Sequence, residues 1–115
     1  MTPRRNRKKT PQRHPVRELE RLIEEATVDA YGESEQAGGF LTMIEEYIEL
    51  PVETKVLGAA VTVIRFDIDD RDQLVAICQR GNRKQTIQLT QLPLPSPRPP
   101  GAEWIEAYRH WRRNG

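Results

Sequence analysis

The stretch Phe40-Leu-Thr-Met-Ile-Glu-Glu-Tyr-Ile-Glu-Leu-Pro51-Val-Glu-Thr-Lys-Val56 decides the fold. Before Pro51 the apolar residues recur with a helical period, and Phe40, Leu41, Ile44, Tyr47 and Ile48 share one face. After it the period drops to two, with Val52, Thr54 and Val56 alternating with Glu53 and Lys55. Proline lacks an N–H and clashes with the preceding turn, so Pro51 stops the helix. A helical half thus meets a strand half, which predicts an α+β fold.

Upstream, Leu19, Leu22, Ile23, Ala26 and Ala30 form another helical stripe. The spacing predicts a helix over 17–31, with Gly32 as the residue that ends it. Ser34 is the expected N-cap of a second helix running to Leu50. Gly38 and Gly39 weaken its first turns by ~1 kcal/mol each relative to Ala, and leave room for close packing or a local break. Downstream, residues 59–67 and 74–79 read as strands, and Arg80-Gly81-Asn82-Arg83 as a two-residue hairpin turn of type II′. Thr86, Ile87, Leu89 and Leu92 predict a fourth strand. Four or five short strands with tight turns suggest a small antiparallel barrel or rolled sheet. Five prolines between Leu92 and Gly101 make a stiff crossing. A last helix over 102–113 presents Trp104, Ile105, Tyr108 and Trp111 on one face. Its Arg109, Arg112 and Arg113 complement the helix dipole. The expected organisation is one globular domain over 16–115: helices in 16–50, barrel strands in 51–92, the crossing in 93–101, then the last helix.

Charge is unevenly distributed. Eighteen Lys and Arg against 17 Asp and Glu leave +1 over 115 residues, a length that fits one domain. Residues 1–17 carry seven bases and no acid; residues 18–53 carry eleven acids and only Arg21, a net of −10. Residues 1–15, with three prolines, read as a disordered basic tail. That tail could attract an anionic partner through counterion release, fold back on the acidic body, or only solubilise. The mean hydropathy is −0.73, and no apolar run approaches the ~18 residues of a membrane span. The N-terminal charge is not followed by the apolar stretch of a secretory signal. Cys78 is the only cysteine, so neither an internal disulfide nor a Cys-type zinc site is available. A cytoplasmic location is expected.

Glu25, Asp29, Glu33 and Glu35 surround the helix–helix junction, and Glu45, Glu46 and Glu49 follow on the second helix. Converging carboxylates suit Ca²⁺, which takes about 6–8 oxygen ligands. The same residues also fit an ordinary solvated face, and on helical projection this is the stronger reading. The missing counter-charge is unusual, because solvated helices commonly carry i,i+4 basic partners. A second cluster, Asp67, Asp69, Asp70 and Asp72, fails as an EF-hand: position 6 is Asp72 and position 12 is Cys78. It reads equally as an acidic turn. His14 and His110 form no ligand pair, and no nucleophile or phosphate loop appears, so a non-enzymatic protein is expected.

Asp29-Ala-Tyr-Gly-Glu-Ser-Glu-Gln-Ala-Gly-Gly-Phe40, then a helix, then Leu50-Pro-Val52, resembles the signature of bacterial CcbP-type calcium-binding proteins. Gln88-Leu-Thr-Gln-Leu-Pro93 is similar to that family's closing strand. The resemblance covers roughly residues 17–94, and its specific part is 29–40. It implies a helical segment packed on a small SH3-like barrel, with a C-terminal helix following here. It also implies a cytosolic, non-EF-hand protein that buffers or senses Ca²⁺ through an acidic patch. On this resemblance Asp29 and Glu35 stand on the matching motif and Glu33 beside it, while Gly32, Gln36 and Gly39 shape the turn. The combined expectation is Ca²⁺ held by Asp29, Glu33 and Glu35, assisted by Glu45 or Glu46. Asp67, Asp69, Asp70 and Asp72 form a second candidate site. The competing expectation is a nucleic-acid or protein adaptor that uses the basic tail.

Overall fold

The computed structural model describes residues 14–114. Of the expected basic tail, all but His14 and Pro15 lie outside the described residues. The chain forms helices α1 (Val16–Ala26) and α2 (Glu33–Tyr47), strands β1 (Val52–Val56), β2 (Ala59–Ile68), β3 (Leu74–Arg80) and β4 (Arg83–Gln88), and helix α3 (Ala102–Asn114). The α+β expectation holds.

α1 buries Leu19, Leu22 and Ala26 along its apolar stripe. It ends at Ala26, well before the expected Tyr31. The Thr27 N–H and hydroxyl both donate to the Ile23 carbonyl, at 3.0 and 2.7 Å, and close the last turn of the helix. Asp29 then takes φ 63°, a left-handed conformation that Asp tolerates better than most residues. Gly32 is therefore not the end of α1. It is the N-cap of α2 at φ −148°, and Ser34 falls inside the first turn. α2 runs unbroken through Gly38 and Gly39 but stops at Tyr47, short of Leu50. A Cβ on Gly39 would overlap the Ala26 carbonyl oxygen, whereas nothing lies within 4 Å of the corresponding point on Gly38. Gly39 is thus the point where the two helices close together.

The sheet is an antiparallel meander in the order β1-β2-β3-β4. Val52 pairs with Val63, and Arg80 with Arg83 across the tight hairpin. Gly81 has φ 61°, and the absence of a positive φ at Asn82 matches a II′ turn. The expected closed barrel is not formed among the described residues: β1 and β4 are edges and do not pair. The reason lies after Gln88. Leu89–Leu92 leave the sheet in a turn closed by the Gln91 N–H on the Gln88 carbonyl at 2.8 Å. The prolines that follow lack the donors a closing strand needs. This segment passes β1, where the Thr54 hydroxyl donates to the Pro93 carbonyl at 2.7 Å.

α2 packs on β2, and α3 packs on both other helices. Phe40, Ile44, Leu74, Ile105 and Tyr108 are fully buried in one core. The Tyr108 ring meets Phe40 edge-on at 5.6 Å, and Tyr47 stacks on Trp104 at 5.6 Å. Gly101, at φ 93°, seats the start of α3 so tightly that a Cβ would overlap the Tyr47 carbonyl.

Overpacking against backbone costs about 1–3 kcal/mol, and Ala at a positive φ adds strain. Gly39→Ala should therefore lower stability by about 1–3 kcal/mol in urea unfolding, and Gly101→Ala, which also has a positive φ, by more. Gly38→Ala should raise it by up to ~1 kcal/mol through helix propensity. Equal behaviour of Gly38→Ala and Gly39→Ala would contradict the packing account.

Candidate metal centre

The α1–α2 junction places Asp29, Glu33 and Glu35 in one exposed segment. Glu35 lies in the first turn of α2, and its Oε1 accepts the Tyr31 N–H at 2.8 Å. This bond ties the incoming chain to the helix, much as a capping box does. Glu33 also lies in that first turn, where the positive end of the dipole favours a carboxylate. Its Oε2 is 3.3 Å from Nη1 of Arg112 on α3. Asp29 sits in the positive-φ turn between the helices.

The acids share a segment without being assembled. Among the described residues, no three His, Cys, Asp or Glu side chains are grouped to hold a metal ion. Glu45 and Glu46 are exposed toward the far end of α2. Twelve residues of helix separate Glu33 from Glu45, about 18 Å along the axis, too far to share one ion. The expected ligand set therefore divides between the two ends of α2.

The second cluster is engaged in building its turn. Asp67 accepts the Ile68 N–H at 2.8 Å and pairs with Arg65 at 3.0 Å. Asp69 Oδ1 accepts the N–H groups of Arg71 and Gln73, both at 2.9 Å. Asp70 is exposed, and Asp72 adopts φ 61°. The Gln73 N–H does most to hold the Asp69 carboxyl below its ordinary pKa. Partial burial opposes this, and the Arg71 N–H and the charges of Arg71 and Arg112 assist.

Arg112 therefore acts on both acidic clusters. It pairs with Glu33 and lowers the pKa of Asp69, and its guanidinium lies 5.6 Å from the centre of the Trp111 ring. Glu33, Gln36, Trp111 and Arg112 line a cavity of about 270 Å³ beside this pair. Sequence spacing assigns Arg112 only to the helix dipole, because its partner Glu33 lies 79 residues away.

Two helices thus lead into an antiparallel meander, with several exposed carboxylates at the helix junction. The CcbP family, described as calcium binding, matches residues 20–112, and the chain belongs to that family. The match runs beyond residue 94, through the proline-rich crossing and into α3. Two solved structures share the fold. One is a calcium-binding protein in its calcium-binding form, with TM-score 0.68 and 19% identity, covering 85% of this chain and 91% of that one. The other is CcbP of Anabaena, with TM-score 0.65 and 19% identity, covering 87% and 93%. The sequence matches none of the curated proteins with which it was compared.

A depressed carboxyl pKa contributes stability that is present above the unfolded value, near 3.8 here, and lost as pH falls through the folded one. Asp69→Asn keeps an acceptor oxygen but removes the charge. The stability advantage of the native protein over Asp69→Asn should therefore shrink as pH is lowered below about 4. A constant difference across that range, measured by urea unfolding, would contradict this role.

Proposed function

We propose that the chain binds Ca²⁺ at the α1–α2 junction through Asp29, Glu33 and Glu35. Membership of the calcium-binding family, together with carboxylates left unneutralised at that junction, carries the reading. Of the eleven acids in 18–53, only Glu18 and Glu33 have a basic partner within 4.0 Å among the described residues.

Ca²⁺ accepts irregular oxygen coordination at about 2.3–2.6 Å, so three carboxylates, junction carbonyls and water can complete a shell. Exposed side chains reorient in picoseconds to nanoseconds, and the acids gather around the ion as it arrives. Arg112 is the resident counter-charge at Glu33, and Ca²⁺ competes with it. Glu45 and Glu46 would serve a different ion at the other end of α2. Asp67, Asp69, Asp70 and Asp72 form a weaker site, since Asp67 and Asp69 already accept turn hydrogen bonds.

A site that assembles only on binding is weaker than a preformed one. It suits a protein that responds to raised Ca²⁺ rather than one that stores it tightly. The same proposal is non-enzymatic and cytoplasmic, in keeping with a single buried, unpaired cysteine, Cys78.

Calorimetry on chelator-treated protein should give saturable heat with Ca²⁺ and much less with Mg²⁺, which holds its waters. At a hundred times Kd, Ca²⁺ should stabilise the fold by about 2.7 kcal/mol. The double variant Glu33→Gln, Glu35→Gln should weaken binding about tenfold or more, a loss of about 1.4 kcal/mol. Arg112→Gln should strengthen it by removing the competing cation. No heat and no thermal shift at millimolar Ca²⁺ would overturn the reading.

A further inference from the structure

α3 carries a second charged surface, turned toward the start of α1. A cavity of about 250 Å³ lies there, edged by His14, Arg98, Glu106, Arg109, His110 and Arg113. It is much larger than the roughly 30 Å³ a water occupies in the liquid, so a multi-atom ligand fits.

Among the described residues Glu106 is the only carboxylate lining this cavity, and it is already engaged. Its Oε2 accepts from Arg98, and its Oε1 lies 3.2 Å from Nδ1 of His14. Arg109 has no carboxylate partner among the described residues; it donates instead to the carbonyls of Leu89 and Leu92. Those bonds fix the guanidinium without cancelling its charge. Burial lowers its pKa first, and the nearby guanidinium of Arg98 lowers it further, with Arg113 adding to this against Glu106. Arg113 is exposed and makes no ion pair among the described residues.

The start of α1 adds its N–H groups, and the Glu18 carboxylate of its first turn is paired with Arg21 at 3.8 Å. Val16, its first residue, lines the cavity, and no side chain caps this terminus. Uncapped N–H groups at a helix start favour an anion. Residues 1–13 contain no Asp or Glu to serve as counter-charge. Complementing the dipole at the end of α3 explains one or two arginines. It does not explain why Arg98, from the proline-rich crossing, joins them around a cavity.

We infer that this cavity binds a small phosphate-type oxyanion, gripped by Arg98, Arg109 and Arg113 at the start of α1. Planar guanidinium groups offer paired N–H donors that match phosphate oxygens, and positions fixed in advance reduce the entropy lost on binding. The inference is independent of the calcium site, which is built from carboxylates of the α1–α2 junction and not from this end of α3.

The test is a calorimetric titration of the full chain with inorganic pyrophosphate, in calcium-free buffer at constant ionic strength. Binding should be saturable at one site. Arg113→Glu, at an exposed position, should weaken it about tenfold or more. Glu106→Gln should tighten it several-fold, because a competing carboxylate is removed. Arg83→Glu, the same charge change on the distant β-hairpin, should leave it within about twofold of the native value. No saturable heat at millimolar pyrophosphate would overturn the inference. So would equal weakening by Arg83→Glu and Arg113→Glu, which would indicate only general charge attraction. Capture by phosphatidic-acid vesicles without pyrophosphate binding would overturn the assignment to a small free anion.

Discussion

The buried phenol of Tyr108 is the joint on which the rest of the molecule depends. Its oxygen accepts the Leu74 N–H at 3.0 Å, where β3 begins, while its ring packs on Phe40 of α2. Burial raises the phenol pKa, which keeps the hydroxyl neutral. One side chain thus links the last helix to both the sheet and the helical layer. A buried N–H left without its partner costs about 1–3 kcal/mol, so sheet and helices are held in fixed register. Neighbouring residues extend the joint. Gly101 seats the start of α3 against the end of α2, and Arg109 holds the carbonyls of Leu89 and Leu92 as the chain leaves the sheet.

Because α3 is fixed in this way, its arginines are delivered to defined places. Arg112 reaches Glu33, while Arg109 and Arg113 face the cavity at the start of α1. The molecule therefore separates its charges at close quarters. Among the described residues the acidic helix junction has one cation paired with it, Arg112, and the basic cavity is lined by one carboxylate, Glu106. A divalent cation can relieve the first imbalance and an oxyanion the second. Neither ion requires a change in the core.

Pro51 made the change from helix to strand readable, because no other residue both removes a donor and blocks the preceding turn. The first three strands and the Gly81 hairpin follow from local rules that the structure obeys, whereas the fourth strand lies at Arg83–Gln88, earlier than the spacing of Thr86, Ile87, Leu89 and Leu92 predicts. Sequence expectation and structure differ where two local signals compete. Gly32 is the natural terminator of α1 in the sequence, yet the chain already takes a positive φ at Asp29 and the helix ends earlier. Leu89 and Leu92 kept a strand-like spacing, but Arg109 binds their carbonyls outside the sheet, and the sheet stays open. At the junction, acids were easy to find and their counter-charge was not. No spacing rule connects Arg112 to Glu33 across 79 residues. Glu45 and Glu46 looked close to Glu33 in composition but are separated by the length of the helix that carries them.

We propose that Ca²⁺ is held at the helix junction and displaces Arg112. Backbone and arginine side-chain NMR signals, followed during a Ca²⁺ titration, address it most directly. The account predicts the largest changes between Thr27 and Gln36 and at the Arg112 guanidinium, with Glu45 and Glu46 changing less and at higher Ca²⁺. Changes centred on Glu45–Glu53 or on Asp67–Asp72, with Arg112 unaffected, would contradict it.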